Sequence, residues 1–392
     1  MPTQHPMSSG TPLDRAHFPV TDRWAYFNHA GITALPAPAL EAQHRCAGDA
    51  ASDGGQAYPL HAERAEEVRT AAARLMGVSA REVAFVKNTT EGLGFVANGL
   101  AWEEGDRVVV PDLEFPSTIY PWLALRDRGV VVDLVEPRGD GRRLPVDAFA
   151  DVIAAGPRPR LVATSWVQFG RGWRTDLAAL GSVCHAAGAL LCADVIQGLG
   201  VVPAQLEAWG VDFAMADAHK WLLGPLGIGV LYVRRSCLEL LRPLEPGWAS
   251  VAHREQWDDL ELVWDDSARR FEGGTPNMVG IHGMGASLDL LLGVGIDKVW
   301  EHVSALTDRA CEGLEAAGAT VMSDRSPTGR SGIVTFTLDG HSPADVTAAL
   351  EARGVVCSPR AGGVRLSPHG YNTAEEVDRL VSAVDELTGD TD

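Results

Sequence analysis

The chain has 392 residues, 46% of them hydrophobic, and carries 33 basic against 52 acidic side chains for a net charge of −19. That length buries one large core and a smaller satellite, so two domains are expected. The acidic balance argues against a phosphate-backbone or anionic-membrane partner, both of which want basic patches, so neither nucleic acid nor membrane is expected to bind.

Residues 1–20, with no apolar signal core, are expected to form a disordered N-terminal segment, 21–270 a large domain, and 271–392 a connecting helix with a small C-terminal domain. Apolar residues at helical spacing predict a helix over 61–76, followed by a strand at 81–86 and a turn at Asn88 into a helix carrying Leu93, Val96 and Leu100. Strands at 107–110, 130–135 and 161–167 alternate with helices near 117–128 and from Pro145 onward. Asp176 caps a helix that precedes the apolar run ALLCA at 189–193. Buried apolar runs between amphipathic helices indicate a parallel sheet covered on both faces, with ligands at the carboxyl ends of its strands. A Trp/Pro-rich stretch at 243–264 reads as irregular. A long helix at 280–292 then leads to a strand at 332–338, a helix at 343–353 and a final helix from Thr373, an α+β layer.

Only three lysines occur, and Lys220 stands inside the run DFAMADAHKWLLGPLGIG at 212–229. Where arginine serves almost every other cationic position, a retained lysine points to chemistry that a guanidinium cannot do: losing a proton and forming a Schiff base with a carbonyl. Asp194 ends the preceding apolar run, with Gln197 just beyond. A strand-end aspartate and a lysine on a later loop are what a pyridoxal 5′-phosphate (PLP) site requires, the carboxylate holding the pyridine nitrogen protonated and the amine holding the aldehyde.

Other residues gather at the same edge, each with an ordinary structural alternative. Thr89 and Thr90 open a helix, as an anion site or as a plain N-cap. Phe115 stacks on the ring or packs in the core; Gln197 meets the ring oxygen or caps a turn; His219 meets the phosphate or only packs. Arg365, after a glycine pair, is placed to capture a carboxylate, although thirty arginines make spacing alone a weak guide. Trp166, Trp173 and Trp248 are candidates to line a substrate pocket, or are structural. The cysteines Cys46, Cys184, Cys192, Cys237, Cys311 and Cys357 show no CxxC pair and no zinc-like spacing with histidine. No metal is therefore expected, and a reduced, cytoplasmic setting fits.

Taken together, YFNHAG at 26–31, ADVIQ at 193–197, the HKW of 219–221 with its glycines, RFEGGTPN at 270–277 and RLS at 365–367 resemble the class V aminotransferase family. That family includes cysteine desulfurases, selenocysteine lyases, isopenicillin N epimerases and the carbon–sulfur lyases of thiohistidine biosynthesis. The resemblance implies an α/β protein of PLP-dependent fold type I, aspartate aminotransferase-like, with a mainly parallel large-domain sheet and a smaller α+β C-terminal domain. It implies a homodimer with shared active sites, in which Thr275 reaches the partner's cofactor and Asn28 lies near the substrate. It also implies that Gln168 or Trp166 takes the place of a cofactor-binding asparagine.

Three departures from the desulfurase pattern stand out. Phe115 replaces the stacking histidine, Asp217 replaces a phosphate-binding Ser or Thr, and the loop that carries the desulfurase cysteine is cut to RAGGV at 360–364. A persulfide-forming nucleophile is therefore not expected. The expected enzyme acts at the Cα–H of an amino acid whose carboxylate Arg365 clamps, with Lys220 as the base. Its outcome is β-elimination, including C–S cleavage, or epimerisation, with transamination as the alternative and a non-catalytic PLP-binding regulator as the alternative of another class.

Overall fold

The structure, a computed structural model, describes residues 10–138, 143–256, 258 and 260–389. Its elements in chain order begin with β1 (Ala25–Tyr26), α1 (Ala37–Asp53), α2 (Tyr58–Met76), β2 (Val83–Val86), α3 (Thr89–Gly99), β3 (Arg107–Pro111), α4 (Pro116–Leu123) and β4 (Val131–Val135). They continue with α5 (Val146–Ala154), β5 (Leu161–Ser165), α6 (Leu177–Ala186), β6 (Leu190–Asp194), β7 (Phe213–Asp217) and β8 (Gly229–Val233). The helices α7 (Met278–Val294) and α8 (Ile296–Ala316) follow. The chain ends with β9 (Thr320–Val321), β10 (Val334–Thr337), α9 (Pro343–Ala352), β11 (Val355–Val356), β12 (Ser358–Arg360), β13 (Gly363–Leu366) and α10 (Ala374–Gly389).

Seven strands form the large sheet in the order β2-β8-β7-β6-β5-β3-β4. Pairing is parallel from β7 through β6, β5 and β3 to β4, and β8 alone runs antiparallel to both of its neighbours. The carboxyl ends of β2, β3, β5, β6 and β7 therefore share one edge. Alternate residues of each strand face opposite cores. Val109, Val162, Leu191 and Ala214 enter one cluster, and Val108, Leu161, Cys192 and Phe213 enter the other. Burial on both faces explains why these strands read as continuous apolar runs.

A second, four-stranded antiparallel sheet, β12-β13-β10-β9, is covered by α8, α9 and α10. The domain boundary differs from expectation at the N-terminus. β1 pairs in parallel with β11, and Ala25 and Phe27 pack in the C-terminal core, so the entry strand belongs to the small domain. Two residues of strand carry too little periodicity to reveal such a long-range pairing. The connecting helix α7 buries Ile281, Met284 and Leu288 in the core of the large domain.

Residues 1–9 of the expected loose segment lie outside the described residues. Residues 11–20 are packed instead, because Leu13 and Phe18 find apolar cover and Phe18 stacks on Tyr371 with ring centroids 3.9 Å apart. Among the described residues, no single helix is long and apolar enough to cross a membrane.

Candidate active site

A cavity of about 240 Å³ opens at the shared carboxyl edge of the strands. Asp194 is the last residue of β6 and is 4% exposed. One of its oxygens accepts from the Ile196 amide at 3.0 Å and the other from Thr118 Oγ1 at 3.1 Å. Burial, the largest influence, raises its pKa, while the Ile196 bond, Lys220 and Thr118 pull it down. This carboxylate has given up most of its hydration and gains from any cation brought against it.

Lys220 stands on the turn after the adjacent strand β7. Burial lowers its pKa from 10.5 to about 8; Asp194 opposes that shift and Arg365 adds to it. The turn is held closed by bonds from the Ala218 amide to the Ile228 carbonyl at 2.9 Å and from the Gly224 amide to the Ala218 carbonyl at 2.8 Å. Leu223, wholly buried, sits at φ 57° within it. A branched residue in the left-handed region costs about 1 kcal/mol, which the surrounding packing must offset. Lysine is thus presented on a rigid loop.

Phe115, at the N-terminus of α4, is 43% exposed and forms one wall. The Lys220 Nζ lies 5.7 Å from its ring centroid, and Phe169 meets it edge-on at 5.3 Å. Its backbone is anchored by the neighbouring Glu114, a buried carboxyl that accepts from the Ser165 amide at 2.6 Å and from the Ser165 hydroxyl. Burial pushes Glu114 up to about 7.

Arg365 of β13, 2% exposed, also lines the cavity. Its Nη1 donates to the Phe169 carbonyl at 2.6 Å, and its Nε has no hydrogen-bond partner. Burial, then Arg360, lowers its pKa to about 10. β12 and β13 are joined through Ala361 and Gly362, at φ 51° and 77°, a two-residue turn of the kind that closes a right-twisted hairpin. So tight a turn leaves no residue to carry a thiol over the cavity. Cys357 lies before it, buried and outside the lining, with burial pushing its thiol up to about 12.

Of the residues expected from sequence, Thr89, Thr90, Phe115, Asp194, Gln197, His219, Lys220 and Arg365 line the cavity. Gln197 is held at both ends, its amide donating to the Ala30 carbonyl at 3.0 Å and its oxygen accepting from Trp221 Nε1 at 2.9 Å. Six others lie outside the lining. Gln168 turns back to backbone, donating to the Leu113 carbonyl at 2.8 Å and accepting from the amides of Gly170 and Arg171. Trp166 packs against Trp209 with centroids 5.3 Å apart. Asn28 sits behind Gly31, its Oδ1 buried without a partner. Thr275 is exposed in a separate cleft with Lys87, Gly227 and Asn277. Trp173 donates to the Leu144 carbonyl at 3.1 Å, and neither it nor Trp248 reaches the cavity. Sequence reading passed over Thr118, Ser117 and Arg360, and used Glu114 only as a neighbour of Phe115. A carboxylate one residue from a strand-end aromatic was the available signal.

The residues fit PLP. Asp194 offers a buried carboxylate to a ring nitrogen, Lys220 an amine of lowered pKa, and Phe115 an aromatic face. Thr89 Oγ1 is buried beside Asp217 without a fully formed hydrogen bond and can donate to an anion at the α3 N-terminus. Asp217 is the member that opposes a phosphate. Its Oδ1 accepts from the Thr89 amide, and its Oδ2 lies 3.4 Å from His219 Nδ1. Burial has already raised its pKa to about 6. A second anion raises it further, and a protonated carboxyl donates to a phosphate instead of repelling it. His219 stays neutral, lowered to about 4 by burial and then Lys220.

The aminotransferase class-V family model matches residues 25–380. A probable cysteine desulfurase of Methanothermobacter thermautotrophicus is 31% identical, covering 96% of this chain and 97% of that protein. A cysteine desulfurase of Klebsiella pneumoniae is 33% identical, covering 95% and 97% respectively. The apo structure of a cysteine desulfurase from Thermococcus onnurineus superimposes with a TM-score of 0.87 at 26% identity, covering 100% of both chains.

The three lysines allow a direct check of the electrostatics. In cofactor-free protein, an amine-acylating reagent read by mass spectrometry should label Lys220 with a midpoint near pH 8, since only the unprotonated amine reacts. Lys87, whose pKa is raised by Glu91, should lag at higher pH. Equal midpoints for the two sites would contradict the desolvated amine.

Proposed function

The chain belongs to the aminotransferase class-V family and its cofactor is pyridoxal 5′-phosphate; we propose that it is a lyase that eliminates a sulfur-bearing group from Cβ of an amino acid. The observation that carries this reading is that Arg365 and Lys220 line one cavity whose lining includes none of the six cysteines. When bound, PLP supplies an electrophilic aldehyde and an electron sink for charge at the substrate Cα.

The chain's own residues supply the rest. With the cofactor bound, Asp194 would hold the ring nitrogen protonated, Phe115 would offer its face to the ring, and Thr89 and Thr90 would receive the phosphate. Arg365, which has no acidic partner among the described residues, receives the substrate α-carboxylate through charge-assisted bonds and so fixes the direction of the Cα–H bond. The Lys220 amine, once free, takes the Cα proton; a pKa near 8 leaves an appreciable neutral fraction at physiological pH. Glu114 acts by holding the Phe115 loop to Ser165.

The cysteine desulfurases among the relatives support the choice of a C–S bond as the one broken. The tight turn between β12 and β13 and the buried Cys357 argue that sulfur leaves in solution and is not passed to a protein thiol. The six cysteines, all buried and unpaired, support a reducing, cytoplasmic setting.

A panel of amino acids with and without sulfur at Cβ, turned over in deuterated water, tests the outcome. Pyruvate and ammonia together with a released sulfur species are expected, and Cys357→Ala should leave kcat/KM unchanged. Arg365→Gln should lower kcat/KM on the order of a hundredfold, from losing two charge-assisted bonds. Exchange at Cα without pyruvate means an epimerase, and a pyridoxamine spectrum means an aminotransferase; either sinks the lyase reading. Loss of turnover in Cys357→Ala would instead restore the persulfide route.

We further propose that two chains share their sites, with Thr275, exposed and outside its own cavity, serving the partner's cofactor. Light scattering should give twice the 41.8 kDa chain mass, and a monomer active at full rate would remove this assignment.

A further inference from the structure

The helices α1, α2 and α7 contribute no residue to the cavity lining, yet between them lies a second convergence of chemically active side chains. The donor atoms of Cys46 on α1, His61 on α2 and His282 on α7 all fall within 4.8 Å of one another. Cys46 is 2% exposed and His61 is 5% exposed. Neither ring nitrogen of His61 has a hydrogen-bond partner, and neither does Nε2 of His282. Buried polar atoms are nearly always bonded, so three unsatisfied imidazole nitrogens beside one buried thiol call for an occupant.

The geometry is enforced by the helix packing. A side chain on Gly283 would meet Gln43 of α1 at 2.7 Å, and one on Gly285 would collide with Val68 of α2. Those glycines let α7 approach both helices closely, and His282 rides in with it. The two imidazoles meet edge to face with centroids 4.8 Å apart. At the rim, half-buried Asp49 lies one turn beyond Cys46, its Oδ2 4.0 Å from His61 Nε2.

We propose that Cys46, His61 and His282, with Asp49 as fourth donor, form a binding site for a divalent transition-metal ion of the zinc type. One thiolate, two imidazoles and one carboxylate are a donor set that tetrahedral zinc accepts, and the two anionic ligands neutralise its charge. Zinc bonds of about 2.0–2.3 Å place tetrahedral donors roughly 3.4–3.7 Å apart, a modest contraction from the 4.8 Å within which the Cys46, His61 and His282 donors lie, with Asp49 swinging in from the rim. Burial holds the His282 imidazole in the neutral form that ligates. Burial and then Asp49 raise the Cys46 thiol, so metal binding must release its proton.

Four protein donors close the coordination sphere, so the role is structural: the ion ties α1 to α2 and α7. The stretch that supplies Ala30 and Gly31 to the cavity runs directly into α1. Linear spacing gave no hint of such a site, because its ligands come from three helices.

The test uses holoenzyme prepared without a histidine tag, treated with chelator and then titrated with cobalt(II) or zinc(II). Cobalt should bind at one equivalent per chain and produce thiolate charge-transfer and tetrahedral visible bands in the difference spectrum. Zinc should abolish those bands and raise the thermal midpoint by several degrees. Cys46→Ser should lose the charge-transfer band, and His61→Gln should lose the tetrahedral bands, each with the fold verified by circular dichroism. The wild-type titration stands even if a variant fails to fold. Wild-type protein with no cobalt bands and no zinc-dependent midpoint would overturn the site, as would bands that persist in both variants.

Discussion

The catalytic edge depends on one electrostatic constraint: an amine and a carboxylate taken out of water at the ends of two adjacent parallel strands. Asp194 closes β6 and Lys220 follows β7, and each is held off its ordinary ionisation by burial. Arg365 enters the same low-dielectric space without an acidic partner among the described residues and lowers Lys220 further. Such an arrangement is costly in an empty protein and favourable once an aldehyde-bearing, anionic cofactor and an amino acid share it. The closed turn around Leu223, the Glu114–Ser165 anchor and the Gln197 bridge to Trp221 keep these groups from relaxing apart.

The parts of the site legible in sequence were those whose residue type is forced by chemistry at a strand end. Lys220 stood out against thirty arginines, and Asp194 became informative once paired with it. Thr89, Phe115 and Arg365 followed from their places after β2, β3 and the glycine pair. Gln168 and Trp166 looked equally well placed, but a strand end offers two directions. Gln168 turned to the backbone of its own loop and Trp166 turned to Trp209. Thr118 lay inside a predicted helix where a hydroxyl carries no signal, although its bond to Asp194 fixes one carboxylate oxygen.

The large-domain sheet was equally readable, since double-sided burial writes itself as apolar runs. Its antiparallel member, β8, was not, because strand direction leaves no mark in a five-residue run. The pairing of β1 with β11 was invisible for the same reason of length. Most of the helices were anticipated, whereas α8 was passed over, and so was α1, rich in alanine and half exposed. That same helix carries Cys46 and Asp49, so the convergence with His61 and His282 emerged only in three dimensions.

Of the three departures from the desulfurase pattern, one is a piece of backbone. The two-residue turn between β12 and β13 brings Arg360 and Arg365 to the cavity, whose lining includes none of the six cysteines. The whole account rests on Lys220 as the point of cofactor attachment, and borohydride reduction of the purified protein followed by peptide mass spectrometry measures that directly. One pyridoxyl group per chain, on the peptide containing Lys220 alone, is the predicted result. A pyridoxyl group on Lys87 or Lys298, or none after incubation with the cofactor, would contradict it.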